Sequence, residues 1–213
     1  MDAVNWLAHG KHGDKPECAC PVIGAYVIRG NDRMDDITRQ RLKAYLHRIA
    51  GSRSKAHETV RLRILILAAV RVFTPVMFDQ AGLIDEAEKL RALPNDATFT
   101  ELKKAAKAAA EAAEAAAAEA AAWAAAWAAW AVEAAETAET AEAARAAAAV
   151  AARSASKISD WDLYFTVLDD ALNAGPQGEP WSVDVIRVGH DKFNHDCATR
   201  AAKKRTEPCS PSV

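Results

Sequence analysis

The chain has 213 residues, with 27 Lys and Arg against 29 Asp and Glu, so its formal net charge is -2. That length fits one medium domain, with or without an appendage. The near-zero charge argues against a general binder of nucleic acid or anionic membranes. Aromatic residues at 7% and regular apolar periodicity argue against disorder. Alanine supplies 33 of the 56 residues from Glu101 to Ser156, so much of the apparent core consists of methyl groups.

Several features point to a protein of the cytoplasm. Outside the alanine tract the longest apolar run is Ile64 to Val70, far below the roughly 18 to 20 residues that cross a bilayer. The tract itself carries eight glutamates, and the first ten residues show no secretory signal. The four cysteines do not resemble a disulfide framework. They are Cys18, Cys20, Cys197 and Cys209. We therefore expect a cytoplasmic protein without a membrane partner.

Apolar periodicity predicts an all-α fold. Pro21 is placed as the first residue of a short helix that continues over 22–29. Asp35 or Asp36 then caps a helix whose apolar residues recur at i, i+3, i+4 and i+7, and Gly51 ends it.

The segment 55–73 is apolar nearly all round, which is typical of the central helix of a bundle. Its length of about 19 residues favours a helix over a buried strand. We expect Leu65 and Ile66 to lie in the main core. A short helix over 85–93 follows and is closed by Pro94.

The alanine tract opens with a capping box formed by Thr98 and Glu101. No Gly or Pro occurs between Asn95 and Ala174, so a single helix of about 85 Å is one prediction. The alternative is a bend or helical hairpin near residues 136–141. It is favoured because the last glutamates of the tract are spaced by three, which winds them around the helix. Both alternatives fit an all-α bundle.

Beyond the tract, Ser159 and Asp160 are predicted to cap an amphipathic helix that ends at Gly175. Ser182 is predicted to cap a last helix, followed by a loose polar tail. The chain thus divides into an N-terminal helical region (1–94), an alanine-rich helical element (95–175) and a C-terminal segment (176–213).

Two groups of residues are candidates for interaction. Trp123, Trp127 and Trp130 recur at i, i+4 and i+7, so they share one helix face among alanines. That face is either the seam against the rest of the bundle or a contact with another protein or another copy. The second group lies in the segment 29–71, which has 11 bases and 4 acids. It is either a solvated surface or a basic docking surface for an acidic partner. Its central bases are Arg39, Arg41, Lys43 and Arg48.

No pattern indicates a cofactor, a metal or a catalytic centre. Neither group of His and Cys residues near the ends of the chain completes a zinc site: the first lacks the usual cysteine spacing, and the second has an allowed histidine spacing but lacks the paired cysteines before it. They are His9, His12, Cys18 and Cys20, then His190, His195 and Cys197. No phosphate-binding or nucleophile motif is present. A cluster of carboxylates with an arginine is expected to cap and pair helices. It consists of Asp32, Asp35, Asp36 and Arg71.

The N-terminal half carries a family resemblance. The matching segments are PVIGA (21–25), Asn31-Asp32 with Asp35-Asp36, AVRVFTPVMFDQAGL (69–83) and EAEKLRAL (86–93). Through them the chain resembles a group of alanine-rich bacterial and phage proteins of unknown function. In that group an alanine-rich tract and an amphipathic helix follow, so the resemblance covers about 150 residues and implies a helical fold. It carries over no catalytic residue, and the segment 181–213 departs from it.

These observations favour a non-enzymatic helical protein that presents its alanine-rich element to a partner protein. The rival hypothesis is a structural component of a phage or bacterial assembly. A weaker one is nucleic-acid binding through the basic segment, Arg29 to Arg71.

Overall fold

A computed structural model of the chain describes residues 16–138, 141–155 and 160–178, and within these ranges it contains helices and no strand. The helices are α1 (Pro21–Asn31), α2 (Asp36–Gln40), α3 (Leu46–Ala50), α4 (Lys55–Ala68), α5 (Thr74–Gln80), α6 (Ile84–Arg91), α7 (Phe99–Ala115), α8 (Glu119–Glu136), α9 (Ala141–Ala155) and α10 (Trp161–Asn173). A 3₁₀ turn, Arg41–Tyr45, joins α2 to α3, and a π-helical turn, Ala69–Phe73, joins α4 to α5. The predicted all-α bundle is confirmed.

The helix starts follow local side-chain chemistry. Asp35 accepts a hydrogen bond from the Thr38 backbone N–H at 2.7 Å and so caps α2. That bond holds the pKa of the Asp35 carboxyl below its usual value. The capping box of Thr98 and Glu101 forms as predicted, and Asp160 caps α10. Short-range sequence signals therefore locate these three helix starts.

The centre of the bundle is the helical run α4, π turn and α5. Leu65 and Ile66 have no exposed surface, which confirms the predicted central helix. The predicted central helix, 55–73, stops before Pro75, but the helix continues past this proline. A proline within a helix lacks an N–H and clashes with the carbonyl four residues earlier, here that of Arg71. Arg71 lies in the wider π turn, which accommodates the proline without ending the helix.

The alanine tract is three helices, so the prediction of one continuous rod is wrong. The first break follows α7, where Ala117 adopts a left-handed conformation with φ of 54°. The Ala118 N–H donates to the Ala113 carbonyl at 2.8 Å, and the Ala117 N–H donates to the Glu114 carbonyl at 3.0 Å. This pair of bonds is a Schellman motif, which normally has glycine at the left-handed position. The sequence pattern predicts no turn there.

The second break follows α8 and confirms the bend predicted near residues 136–141. Helices α8 and α9 pack against each other, and α8 also packs against α7. The Lys103 ammonium and the Thr100 hydroxyl, both at the start of α7, donate to the Glu136 carboxylate at the end of α8. These bonds hold the two helices antiparallel and lower the pKa of Glu136, with the Lys103 bond as the main cause.

A buried arginine joins the central helix to the last one. Arg61 on α4 has no exposed surface, and its guanidinium donates to three backbone carbonyls. Its Nε bonds Ala171 at 3.0 Å, its Nη2 bonds Pro176 at 2.8 Å, and its Nη1 bonds Ser52. The carbonyl end of a helix carries partial negative charge, so a cation is stabilised there. Arg61 therefore caps the C-terminal end of α10 from inside the bundle.

Within the described ranges, none of the helices combines the length and the apolar character needed to cross a membrane. Several predictions fall outside those ranges. They are the helix capped by Ser182, the polar tail that follows it, and most of the His and Cys residues weighed as zinc ligands.

Candidate interaction surface

Helix α8 contacts its neighbours through alanines. Its buried side is nine residues, eight of them alanine, and alanine lets helix backbones approach closely. This side packs against α7, α9 and the central helical run. The opposite side of α8 carries the three tryptophans.

The tryptophan side of α8 faces outward. The exposed fractions of Trp123 and Trp130 are 51% and 55%, while Trp127 is half-buried. The rings of Trp123 and Trp127 lie near each other, with centroids 6.2 Å apart and planes inclined by 43°. The interpretation of this face as the seam of the bundle is therefore wrong. The small alanine side chains form the seam because they fill the narrow space between closely packed helices.

The charge of α8 has one sign. The helix contains three glutamates, Glu119, Glu133 and Glu136, and no lysine or arginine. Glu119 and Glu133 lie on the exposed side, one toward each end of the row of tryptophans. We call this surface the tryptophan face: the three indoles with Glu119 and Glu133. It is apolar at its centre and acidic at both ends.

A cavity adjoins the tryptophan face at the turn between α7 and α8. Its volume is about 460 Å³. The described residues that line it are Glu114, Ala117, Glu119, Ala122, Trp123 and Ala126. The left-handed conformation of Ala117 reverses the chain here and places the end of α7 beside the start of α8. The turn thus brings Glu114 and Glu119 to the same cavity as the Trp123 indole.

The predicted basic docking residues lie mainly against helices of the same chain. Arg41 pairs with Asp162 on α10 at 2.8 Å, and its guanidinium lies 4.2 Å from the centroid of the Phe165 ring. Arg48 pairs with Asp169, also on α10. Arg39 pairs with Asp36 at 2.9 Å.

Lys43, the fourth of these bases, is exposed. The carboxylates that face Arg41 and Arg48 belong to α10, so these bases hold that helix in place. This pairing gives no support to an acidic partner at the basic surface.

The residues weighed for chemistry have structural contacts. Asp35 caps α2, as expected, but Arg71 lies away from this cap and donates to the Asn95 side chain and to the Arg91 carbonyl. Within the described part of the chain, no group of three or more His, Cys, Asp and Glu side chains is arranged to hold a metal ion. Cys18 and Cys20 are free thiols.

The sequence pattern identifies the tryptophans but not the cavity beside them. Neither Glu114 nor Glu119 was identified as a candidate from the sequence. No signal in the alanine string marks Ala117 as a turn. The periodicity of the tryptophans was sufficient to place them on one side of a helix, but not to determine which side faced the core.

Comparison with known proteins gives no match: no protein-family model, no curated protein and no solved structure is significantly similar to this chain. The resemblance to alanine-rich bacterial and phage proteins therefore stays a prediction.

Proposed function

We propose that the chain is a non-enzymatic, cytoplasmic protein that binds another protein through the tryptophan face. The observation that carries the proposal is the exposure of Trp123 and Trp130, at 51% and 55%. A packed tryptophan buries about 150 to 250 Å², so each ring leaves on the order of 100 Å² for a partner to cover.

Tryptophan is also the residue type most enriched at the energetic centres of protein interfaces. The alanines beneath the face support the proposal in a second way. Because eight of the nine buried residues of α8 are alanines, which have no rotamers to rearrange, the helix presents the indoles on a rigid support. Ordering an interface costs less when its scaffold is already fixed. The tryptophan face therefore has the features of a preformed docking surface.

The proposal is tested with a triple variant in which Trp123, Trp127 and Trp130 are alanine. Alanine has the highest helix propensity, so α8 should stay helical. A matched control removes three exposed apolar side chains elsewhere, Ile37→Ala, Val60→Ala and Ile84→Ala, whose exposed fractions are 85%, 48% and 51%.

Size-exclusion chromatography with light scattering measures self-association. Capture from a lysate of the source organism, followed by quantitative mass spectrometry, measures binding to other proteins. We expect the tryptophan variant to lose an association that the wild type and the control variant both keep. Equal association by all three proteins would refute the proposal. Open-ended growth that depends on the tryptophans would instead favour a structural component of a larger assembly.

A further inference from the structure

The cavity beside Trp123 has the chemistry of a site for an organic cation. Its volume of about 460 Å³ lies within the range of ligand pockets, about 300 to 1,000 Å³. An indole is the best aromatic partner for a cation, and carboxylates add charge and hydrogen-bond acceptors for an ammonium or a guanidinium. One cavity holds both kinds of group: an indole from Trp123 and two carboxylates from Glu114 and Glu119.

The local charge leaves room for a cation there. Glu114 lies in the last turn of α7, and that turn contains no base. A carboxylate at the C-terminal end of a helix is disfavoured by the partial negative charge of the helix carbonyls. A bound cation would offset the charge of the Glu114 carboxylate and the partial charge of the helix carbonyls. On the other side of the cavity, α8 contributes Glu119 and no cationic residue along its whole length.

We propose that this cavity receives a lysine or arginine side chain of the protein that docks on the tryptophan face. This inference rests on the proposed function and names the chemistry of the partner: an apolar surface with a basic side chain at one edge. A second copy of α8 is a poor occupant. In an antiparallel pair Glu119 would face Glu133 of the other copy, and in a parallel pair like glutamates would meet, so that like charges would repel in both arrangements.

The direct test is a titration of the full chain with N-acetylargininamide, using N-acetylcitrullinamide as the neutral matched probe at constant ionic strength. Nuclear magnetic resonance of the indole N–H groups, assigned with single Trp→Phe variants, reports on each tryptophan. We expect the Trp123 signal to shift saturably with argininamide, with half-saturation on the order of 10 to 100 mM. The Trp130 signal serves as the internal control because Trp130 does not line the cavity.

Charge variants test the role of the carboxylates. The double variant Glu114→Gln with Glu119→Gln should bind argininamide about three- to tenfold more weakly, which is the range that two exposed ion pairs supply together. Glu111→Gln, at an exposed position of α7 that neither lines the cavity nor belongs to the tryptophan face, should bind like the wild type. Equal shifts with argininamide and citrullinamide, or equal binding by the Glu114 and Glu119 double variant, would overturn the inference.

The association assay separates this inference from the proposed function. If the triple tryptophan variant loses association and the Glu114 and Glu119 double variant associates more weakly, the proposed function and the cation site are both supported. If the tryptophan variant loses association but the double variant matches the wild type, the proposed function stands and the cation site is rejected. If neither variant changes association, the proposed function itself is rejected and the inference falls with it.

Discussion

Tyr26 on α1 and Tyr164 on α10 exchange hydrogen bonds across the bundle. The Tyr164 hydroxyl donates to the Tyr26 carbonyl at 3.1 Å, and the Tyr26 hydroxyl donates to the Tyr164 carbonyl at 3.3 Å. Their rings are stacked, with centroids 4.5 Å apart and planes inclined by 6°, and neither has exposed surface. This reciprocal pair fixes the register between two helices that are 138 residues apart in the chain.

Replacing either tyrosine with phenylalanine should lower the free energy of unfolding by about 0.5 to 1.5 kcal/mol. The cost is moderate because each carbonyl also lies within a helix and keeps its backbone bond. Since each bond helps to hold the other ring in place, the double variant should cost less than the sum of the single variants. Urea denaturation measures the free energy of unfolding of the two single variants and of the double variant.

The Tyr45→Phe variant serves as the comparison for these losses of stability. The Tyr45 hydroxyl donates to Asp169 at a partly exposed position, where water can replace the protein partner. If the Tyr26 and Tyr164 variants lose no more free energy of unfolding than the Tyr45 variant, the buried pair has no special importance for stability.

Gly30→Ala should destabilise the protein, although alanine normally stabilises a helix by about 1 kcal/mol relative to glycine. A Cβ atom at Gly30 would lie 2.3 Å from the Tyr164 hydroxyl oxygen and 2.4 Å from its Cζ. Overpacking of this kind costs about 1 to 3 kcal/mol, which outweighs the gain in helix propensity. The free energy of unfolding of the Gly30→Ala variant should therefore fall. In a Tyr164→Leu background those ring atoms are gone, and the same Gly30→Ala change should be neutral or stabilising. Stabilisation in the wild-type background would disprove the close approach.

Arg61→Met should cost about 2 to 4 kcal/mol. The guanidinium satisfies the carbonyls of Ser52, Ala171 and Pro176 in the interior, and hydrogen bonds from a charged donor are worth about 1.5 to 3 kcal/mol each, though not additively. Arg61→Lys keeps the charge but not the fork of donors, so its loss should be smaller. Hydrogen exchange should show faster opening at the end of α10 in both variants. A methionine variant as stable as the wild type would mean that these bonds contribute nothing.

Much of the fold could be predicted because its signals are local. A capping residue acts within three positions, as Thr98 and Glu101 do, and a buried helix shows its own periodicity, as the segment around Leu65 and Ile66 does. The spacing of the last glutamates of the tract likewise predicted the bend that follows Glu136. These features depend on neighbours along the chain, which a single sequence contains.

What could not be predicted depends on contacts between distant segments. Arg41 and Arg48 are basic side chains in any local view, and only the arrival of α10 converts them into internal ion pairs with Asp162 and Asp169. The orientation of α8 has the same origin. Its alanine side and its tryptophan side are both apolar, so periodicity cannot rank them for burial. The requirement for close helix packing makes that choice, and it selects the smaller side chains.

Ala117→Gly should raise the free energy of unfolding by up to about 1 kcal/mol. A left-handed conformation costs an L-residue about 1 to 2 kcal/mol, whereas glycine adopts it without strain. Part of that gain is offset because glycine has more freedom in the unfolded chain. The matched control is Ala108→Gly, at an exposed interior position of α7, which should lose about 1 kcal/mol. Thermal or urea unfolding gives both values, and a loss of stability at Ala117 equal to that at Ala108 would argue against the turn.

The three tyrosines of the chain should resist ionisation in the folded state. Burial raises the pKa of Tyr26 and of Tyr164 well above the ordinary value of 10.0. Burial, followed by the hydrogen bond to Asp169, raises the pKa of Tyr45 to about 12. Above pH 10 an unfolded chain therefore binds fewer protons than the folded chain, so the free energy of unfolding falls as the pH rises.

An absorbance titration at 295 nm should show no phenolate midpoint near pH 10 while the circular dichroism remains helical. In denaturant the same chain should titrate near pH 10, because its tyrosines are then solvated. Tyr45→Phe should remove the component near pH 12, so that the remaining increase coincides with the loss of helix. That coincidence is expected because the phenols of Tyr26 and Tyr164 reach water only when α1 separates from α10. A midpoint near pH 10 in a chain that is still helical would contradict the burial of this pair.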